Sequence, residues 1–312
     1  MAERPMVLLI QAREPRPFVE EFARSMPALK VRVWPDVGAP EDISFAFVSR
    51  ITPGVLGGLP NLKFVASLLA GVEHLVGNPE IPLDLPIVRT GSPHGDAMMT
   101  EYVLMHVLRH HRNLPSYALQ QGRAEWTGIS QKPASERGVG FLGLGLLGRA
   151  AAVCVRDHGF KVFAWTRNPR QEIGITCFSG PEGLGPMLSS AEILVNLLPA
   201  TRETEDIVNA AFLAKLPRGA QFINVARGQH VVDADLMAAL DSGQLTAATL
   251  DAFREEPLPA ESMLWRHPRI TIMPHVARRA LPQDSVPQVV ENIRRARAGV
   301  PLQLVVDRQV GY

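Results

Sequence analysis

Residues 138–167 constrain the fold of this 312-residue chain more than any other stretch. They read GVGFLGLGLLGRAAAVCVRDHGFKVFAWTR: an apolar run over 138–144, an Ala-rich helical stretch that ends near His158, and a second apolar run over 161–165. Apolar runs on both sides of a helical pattern predict two strands joined by a helix. The stretch is therefore expected to form a strand–helix–strand unit.

The turn after the first strand carries the pattern G-x-G-x-x-G, which is typical of dinucleotide sites. Gly143 permits the tight turn, Gly145 leaves room for a pyrophosphate, and Gly148 lets the helix pack closely on the strand. The phosphates would then lie on free N–H groups at the helix start. The residues predicted to bind the cofactor here are Gly143, Gly145, Leu146, Leu147 and Gly148. A glycine-rich surface turn is the alternative, and the flanking strands favour dinucleotide binding.

The end of the second strand indicates which dinucleotide is bound. An NAD site places an Asp or Glu about 20 residues past the glycines, whereas an Arg accommodates a 2′-phosphate. Here the chain reads Trp165-Thr166-Arg167, followed by Arg170, with no acid. A guanidinium offers a planar fork of donors that suits a phosphate. NADP(H) is therefore the predicted cofactor, with NAD(H) weaker, unless the two arginines are merely solvated loop charges.

Length and composition exclude several classes of protein. A chain of this length suits two domains, and its net charge of +1 does not suggest a nucleic-acid partner. Cys154 and Cys177 form no disulfide framework, and Cys154 is expected to be a small buried thiol in a helix. No run of about 18 apolar residues suggests a membrane span, and no secretory cleavage site is evident. The expected location is a reducing cytoplasm.

Strand and helix signals alternate along the whole chain. The first lobe has predicted strands in MVLLIQ, VRVWP, SFAFVS, LKFVASL and PIVRT, and a predicted helix in FVEEFARSMPAL. After residue 138, predicted strands ILVNLLP, QFINVAR, AATLDAF and ITIMP are separated by helical stretches such as ETEDIVNAAFLAKL and DADLMAALDSG. Alternation of this kind predicts an α/β protein with parallel, doubly wound sheets in two Rossmann-like or flavodoxin-like lobes, with the active site in a cleft between them.

The domain boundaries follow from the same pattern. Residues 1–95 with 284–312 are the predicted substrate-binding domain, and 96–283 the predicted NADP-binding domain. A helix from Asp96 to about Arg112 is a candidate bridge between the lobes. His106 and His110 lie one turn apart in it, but no Glu stands between them in the HExxH arrangement and no third ligand is evident. We therefore expect a solvated or partly buried helix face and no metal.

Chemically active side chains follow the predicted strands, where ligands of doubly wound sheets bind. Arg227 closes QFINVAR and can hold a carboxylate through two hydrogen bonds. His275 closes ITIMPH and suits proton exchange near neutral pH, and Glu256, after AATLDAFRE, would favour the charged imidazole. Each is common on protein surfaces. Together, beside a nucleotide fold, they predict a 2-oxoacid reductase.

Four segments, NVARG, LDAFREEPLP, HPRITIMPHVA and GLGLLG, resemble the D-isomer-specific 2-hydroxyacid dehydrogenases, in particular those that reduce glyoxylate and hydroxypyruvate. The resemblance covers nearly the whole chain, including AGVEH, AEILVNLLPATRET and VDRQVGY. It implies two lobes, NADP(H)-dependent reduction of glyoxylate and hydroxypyruvate by hydride transfer, and a homodimer.

The resemblance also implies roles for individual residues. Arg227 matches the carboxylate-binding arginine, Glu256 the acid and His275 the proton-transferring histidine. The substrate carboxylate is expected to meet N–H groups around Ala70, Gly71 and Val72, although an ordinary strand-to-helix turn explains these residues equally well. Further expected cofactor contacts are Trp165, Thr166, Arg167, Leu198, Pro199, Thr204 near the phosphates, Ala226, Asp251 near the nicotinamide carboxamide, and His275.

The chain departs from the family just after the histidine. Arg278, Arg279 and Ala280 stand where small residues and a Thr are common. A cation at Arg278 would favour a substrate with a second negative group, such as a larger or phosphorylated 2-oxoacid; otherwise Arg278 turns to solvent or braces the lobe hinge. A redox sensor or corepressor that only binds NADP is a further alternative, which the joint presence of Arg227, Glu256 and His275 disfavours.

Overall fold

The computed structural model describes residues 6–49, 52–69 and 71–308. The chain divides into two compact units, Met1–Gly95 with Arg279–Tyr312 and Asp96–Arg278. The predicted second boundary, 283/284, falls within the first turn of the last helix, Pro282–Ala298. The substrate-binding and NADP-binding roles of the two units stay predictions.

The first unit is built on a five-stranded parallel sheet in the order β2-β1-β3-β4-β5. Its strands are β1 (Val7–Gln11), β2 (Lys30–Val33), β3 (Ile43–Val48), β4 (Phe64–Ser67) and β5 (Ile87–Val88). Its helices are α1 (Arg16–Ser25), α2 (Glu73–Val76) and, from the chain's end, α9 (Pro282–Ala298). Leu8 and Ile10 of β1 pack with α1 and α9, whereas Val7 and Leu9 join a second cluster with α2. Alternate residues of a strand face opposite sides, so both faces of this sheet are covered.

The second unit contains a seven-stranded parallel sheet in the order β12-β11-β10-β9-β6-β7-β8. Its strands are β6 (Gly138–Leu142), β7 (Lys161–Thr166), β8 (Ile175–Ser179), β9 (Ile193–Asn196), β10 (Ala220–Asn224), β11 (Leu245–Leu250) and β12 (Ile270–Ile272). Its helices are α3 (Pro93–His111, which begins in the first unit), α4 (Leu114–Gly122), α5 (Leu146–Asp157), α6 (Gly180–Ser189), α7 (Ala210–Leu213) and α8 (Asp233–Asp241).

Helices cover both faces of the seven-stranded sheet as well. Leu194 of β9 packs with α6, α7 and α8, whereas Ile193 and Val195 pack with α3 and α5. The chain leaves β6 toward β7 and β8 and resumes at β9 on the other side of β6, so the strand order reverses between β6 and β9. Ligands of doubly wound sheets bind at such a reversal. The predicted α/β class with parallel, doubly wound sheets is confirmed.

Several local predictions are wrong. The helix expected over ETEDIVNAAFLAKL is reduced to the single turn of α7. The Thr204 side chain bonds to the carbonyl of Pro199, and such a bond competes with the helical ladder. Asn209 then caps the start of α7, since its side chain accepts N–H of Phe212. Strand β8 and helices α4 and α6 are not among the predicted elements. The Gly- and Pro-containing α6 and the part-exposed edge strand β8 show no clear apolar period. Cys154 is half-buried rather than buried.

Helix α3 buries the two histidines that we expected on a solvated or partly buried face. His106 is 2% exposed and His110 0%, because they flank the apolar stripe formed by Met99, Val103 and Val107. Nε2 of His110 lies 2.9 Å from Oγ1 of Thr249 in β11. Among the described residues, no group of three or more His, Cys, Asp or Glu could hold a metal ion.

Within residues 6–49, 52–69 and 71–308, no helix combines the length and the apolar character that crossing a bilayer requires. The cytoplasmic location stays a prediction.

Candidate active site

The residues predicted to carry the chemistry follow three neighbouring strands. Asn224 of β10 pairs with Leu250 of β11, which pairs with Ile272 of β12. The alignment continues beyond the strands, since N–H of Asp251 donates to the carbonyl of Asn224 at 2.9 Å. Arg227, Glu256 and His275 therefore belong to loops that start side by side at the carboxyl edge of the sheet.

Gly228 brings two of these loops into direct contact. A Cβ at this position would overlap the carbonyl carbon of Phe253 and the nitrogen of Arg254. Only a glycine fits here, so the loop that carries Arg227 packs against the loop that leads to Glu256. Nη1 of Arg227 donates to the carbonyl of Ala226 at 2.8 Å.

Glu256 and His275 form a close pair. Nδ1 of His275 lies 2.9 Å from both carboxylate oxygens of Glu256. Oε1 of Glu256 also accepts the backbone N–H of Phe253 at 3.0 Å, which fixes the carboxylate. Because a carboxylate accepts, Nδ1 carries a proton. The side chain of His275 is 42% exposed against 14% for Glu256, so the pair combines a held carboxylate with an accessible imidazole.

The backbone at His275 is in the left-handed region, with φ +54°. For a residue with a Cβ, this conformation costs roughly 1–2 kcal/mol. Residues held in such a conformation cluster at functional sites. The next two N–H groups, those of Val276 and Ala277, donate to Oδ1 and Oδ2 of Asp251 at 2.9 and 3.0 Å. These bonds hold the segment that carries His275.

Asp251 itself is 1% exposed. Its Oδ1 also accepts the hydroxyl of Tyr102, on α3, at 3.0 Å. Burial raises the pKa of the Asp251 carboxyl, against the effect of its hydrogen bonds, and burial together with the Asp251 charge raises the pKa of Tyr102. Both oxygens of Asp251, which we predicted to lie near the nicotinamide carboxamide, therefore have protein donors.

The glycine-rich turn joins β6 to α5. Gly143 has φ +92°, and a Cβ at Gly148 would overlap the carbonyl oxygen of Gly143. Gly143 is therefore required by the backbone conformation of the turn, and Gly148 by the close packing of α5 against it. Gly145 differs, because a Cβ there meets no atom of the described residues within 4 Å. It precedes α5 without a side-chain cap among those residues, so the turn offers space and backbone donors together.

The end of β7 is held by side-chain hydrogen bonds. Nε1 of Trp165 donates to the carbonyl of Gly180 at 2.7 Å, and Oγ1 of Thr166 to that of Asn168 at 2.8 Å. Arg170 donates to the carbonyl of Leu144, inside the glycine-rich turn, at 2.6 Å. Its guanidinium thus supports the turn, so the alternative of a merely solvated charge is wrong for Arg170.

Arg167 is exposed, and its charge acts on a neighbouring loop. The pKa of Glu203 is lowered first by hydrogen bonds with Thr201 and its own backbone, and further by the charges of Arg167 and Arg202. The end of β7 and the loop after β9 are therefore electrostatically coupled.

That loop is closed by Thr204. Its Oγ1 donates to the carbonyl of Pro199 at 2.8 Å and accepts N–H of Thr201 at 2.9 Å. Leu198, a predicted cofactor contact, donates its N–H to Oδ1 of Asn196 at 3.2 Å. Thr204, which we expected near the cofactor phosphates, is buried and uses its hydroxyl to shape the loop.

Three functional candidates escaped the sequence analysis: Asn196, Asn224 and His230, all fully buried. Nδ2 of Asn196 lies 3.1 Å from Oδ1 of Asn224 and 2.9 Å from Nδ1 of His230. Nε2 of His230 is 3.1 Å from the carbonyl of Pro199, which can only accept, so Nε2 carries the proton and Nδ1 accepts from Asn196.

This network connects two strand ends. Nδ2 of Asn224 donates to the carbonyl of Arg227 at 3.0 Å, and its Oδ1 accepts N–H of Ala226 at 3.2 Å. The hydrogen bonds among Asn196, Asn224 and His230 therefore connect the backbone at Arg227 to the loop at Pro199. The detectable signal was an Asn as the last residue of two apolar strands, ILVN and QFIN.

In the first unit, the predicted anion-binding turn follows β4. Val72 is buried and its carbonyl accepts N–H of Leu75 at 2.9 Å, at the start of α2. The carbonyl of Gly71 lies 3.5 Å from Oγ of Ser67. Ala70 lies outside the described residues. A role for this turn in substrate binding stays a prediction.

Arg278 is not turned to solvent. Its side chain is 10% exposed, and its Nε lies 2.9 Å from Oδ1 of Asp96. Arg279 is different: both it and Glu14, 3.8 Å away, are exposed. Arg278, the first residue of the departure from the family pattern, is therefore already paired with Asp96.

Comparison with known proteins identifies the family. The family described as D-isomer specific 2-hydroxyacid dehydrogenase, NAD binding domain, matches residues 104–277. A curated relative from Serratia proteamaculans, named glyoxylate/hydroxypyruvate reductase A, is 38% identical over 93% of this chain and 94% of its own length. The predicted likeness is thus confirmed.

Solved structures agree. A D-isomer specific 2-hydroxyacid dehydrogenase from Xanthobacter autotrophicus, in complex with NADPH and MES, matches with a TM-score of 0.90 and 41% identity over 99% of this chain and all of its own. An NADPH-dependent glyoxylate/hydroxypyruvate reductase from Sinorhizobium meliloti, in complex with NADP and sulfate, matches with a TM-score of 0.90 and 35% identity. The match covers 98% of this chain and 100% of that one. The chain therefore belongs to the D-isomer-specific 2-hydroxyacid dehydrogenase family.

Proposed function

We propose that this protein is an NADP(H)-dependent D-2-hydroxyacid dehydrogenase that reduces small 2-oxoacids, namely glyoxylate to glycolate and hydroxypyruvate to D-glycerate. The observation that carries the proposal is the Glu256–His275 pair, 2.9 Å apart, on strand ends next to that of Arg227. The names of the Serratia and Sinorhizobium relatives support the same substrate class.

The residues of the second unit fit a dinucleotide. Space at Gly145 and the uncapped start of α5 suit a pyrophosphate. Arg167, exposed at the end of β7, suits a 2′-phosphate, and the relatives solved with NADPH or NADP support this preference. When bound, the reduced nicotinamide supplies a hydride to the carbonyl carbon of the substrate.

Three side chains do the rest. The Arg227 guanidinium holds the substrate carboxylate in two hydrogen bonds and polarises the neighbouring carbonyl. Protonated His275 donates from Nε2 to the carbonyl oxygen, so that hydride and proton together turn the 2-oxoacid into a 2-hydroxyacid. Glu256 holds Nδ1–H and stabilises the imidazolium with its charge.

The proposed enzyme is a homodimer. The side chains of Met98, Met105 and Leu108 are partly exposed on α3, and Trp126, in the segment after α4, is fully exposed. Apolar exposure of this extent often marks a protein interface. Light scattering after gel filtration tests the proposal: a monomer mass at micromolar concentration would contradict it.

Steady-state oxidation of NADPH and NADH with a panel of 2-oxoacids tests the function. We expect turnover of glyoxylate and hydroxypyruvate with a preference for NADPH. His275→Ala should lose most turnover while NADPH still binds, as measured by fluorescence titration. A wild-type protein that binds NADPH tightly but reduces none of the panel would favour the redox-sensor alternative instead.

A further inference from the structure

We propose that Tyr102 is a positioning residue for His275: its hydroxyl fixes the Asp251 carboxylate, which in turn holds the backbone that carries the imidazole. The inference rests on the proposed function, in which His275 donates the proton. None of the sequence patterns that point to the active site includes Tyr102, which lies 149 residues from Asp251 along the chain.

The backbone at His275 needs support. Its φ of +54° is one that side chains with a Cβ rarely adopt, and its N–H bonds only to the carbonyl of Met273, 3.0 Å away, among the described contacts. An isolated segment would relax to an extended or right-handed conformation, which would move the imidazole away from Glu256.

Asp251 supplies this support. Its two oxygens accept the N–H groups of Val276 and Ala277, the two residues that follow His275. The bonds fix both peptide planes only while the carboxylate keeps its rotation. Because Asp251 is buried, hydrogen-bond donors of the protein set that rotation. Oδ1 of Asp251 accepts the hydroxyl of Tyr102.

Tyr102 is itself held in place. Its ring lies 4.5 Å from that of His106 in an edge-to-face contact, one helical turn along α3. A further turn on, His110 binds Thr249. Thr249 lies in β11, and Asp251 is the first residue after that strand. Helix α3 is therefore anchored beside the strand end, and it presents the hydroxyl to Asp251 from a rigid element.

The variant Tyr102→Phe keeps the ring and removes only the hydroxyl. We expect kcat for glyoxylate reduction to fall five- to fiftyfold, with KM for NADPH within twofold of wild type. The solvent deuterium isotope effect on kcat should rise, because proton donation from a poorly aligned His275 becomes more rate-limiting. The matched control is Tyr117→Phe, which removes a hydroxyl that accepts N–H of Ile129 in another part of the second unit. It should leave all three quantities unchanged.

A second measurement does not depend on activity. Amide hydrogen exchange, followed by mass spectrometry on peptides that cover 273–279, should be at least tenfold faster at Val276 and Ala277 in Tyr102→Phe than in wild type or Tyr117→Phe. Asp251→Asn should accelerate it further.

The two measurements separate the inference from the proposed function. If wild type reduces no 2-oxoacid but exchange accelerates in Tyr102→Phe, the positioning device stands and the function fails. If wild type is active and Tyr102→Phe changes neither kcat nor exchange, the inference is overturned. A fall in kcat with unchanged exchange also overturns it, since Tyr102 would then act by another route.

Discussion

Nδ1 of His275 lies equally close, at 2.9 Å, to both carboxylate oxygens of Glu256. Glu256→Gln retains the size and a hydrogen-bonding oxygen but removes the charge that stabilises the imidazolium. We expect kcat for glyoxylate reduction at neutral pH to fall about 10²-fold, within the range for general acid–base catalysis. Stopped-flow measurement of NADPH oxidation checks this, and Glu255→Gln, an exposed neighbour, is the matched control. Equal activity of both variants would remove Glu256 from the mechanism.

The glycines of the turn separate cofactor binding from folding. The Cβ of Gly145→Ala would meet no atom within 4 Å among the described residues. The free energy of unfolding of this variant should therefore stay near that of wild type, while its Kd for NADPH rises at least tenfold. Gly148→Ala would overlap the carbonyl of Gly143 and should lower the unfolding free energy by about 1–3 kcal/mol. Urea unfolding and fluorescence titration give the two quantities. Similar losses of stability in both variants would contradict this assignment.

The contrast between these glycines also shows what sequence reasoning can reach. The turn, its strands and the ends of β10, β11 and β12 were predictable, because apolar runs are local and the carboxyl ends of parallel strands meet at one edge. Arg227, Glu256 and His275 could therefore be grouped before any coordinates were known.

The supporting contacts could not be predicted in this way. Tyr102 and Asp251 are joined by side-chain orientation across 149 residues, and Asn196 and His230 across 34. Periodicity carries no information on such pairs. The expected helix around Thr204 failed for a related reason, since a side-chain hydrogen bond to Pro199 replaced the helical ladder there.

Arg167 should determine the choice of cofactor. It is exposed and its charge acts on Glu203, but among the described residues no carboxylate is in direct ion-pair contact with it. Arg167→Asp should raise KM for NADPH at least tenfold and leave KM for NADH within about twofold, since a charge-assisted hydrogen bond contributes roughly 1.5–3 kcal/mol. Arg170→Asp, which breaks the hydrogen bond to the carbonyl of Leu144, should weaken the binding of NADPH and NADH alike. An unchanged NADPH/NADH ratio in Arg167→Asp would contradict the assignment.

His106 should make stability depend on pH. Burial and the charge of Arg109 lower its pKa from 6.5 to about 4, whereas the unfolded chain takes up a proton near the ordinary value. Between these limits the unfolded state binds more protons, so stability is complete above pH 6.5 and falls as the pH drops toward 4. At about 1.4 kcal/mol per pKa unit, the loss is at most about 3.5 kcal/mol.

Urea unfolding of wild type and His106→Phe at pH 7.5, 6 and 5 measures this dependence. As the pH falls, the unfolding free energy of wild type should decrease more than that of His106→Phe. The pKa of His110 is also lowered, to about 3, mainly by burial and only in smaller part by the charges of Arg109 and His106, so both proteins retain most of its contribution and the difference reports mainly on His106. Parallel curves would show that His106 does not titrate in this range.

Arg278 and Asp96 are the last and first residues of the second unit, and their ion pair joins its two ends. The pair is mostly shielded from water, so removal of either charge leaves the other poorly solvated. Arg278→Ala and Asp96→Ala should each lower the unfolding free energy by about 1–3 kcal/mol. In a double-mutant cycle the combined variant should lose less than the sum, which gives a coupling of about 0.5–3 kcal/mol. Arg279→Ala, at an exposed position, is the control and should change the unfolding free energy by less than about 0.5 kcal/mol.

The same variants decide whether Arg278 selects the substrate. A guanidinium engaged by Asp96 is not available to a second carboxylate of the substrate, so Arg278→Ala should change kcat/KM for glyoxylate, oxaloacetate and a phosphorylated 2-oxoacid by one common factor. If Arg278 selected the substrate, Arg278→Ala should lower kcat/KM for the two larger anions about fivefold or more beyond its effect on glyoxylate. A specific contact of roughly 1 kcal/mol produces this ratio. Asp96→Ala sharpens the comparison, because it frees the guanidinium: a gain for oxaloacetate in that variant alone would show that Asp96 normally withholds Arg278 from the substrate.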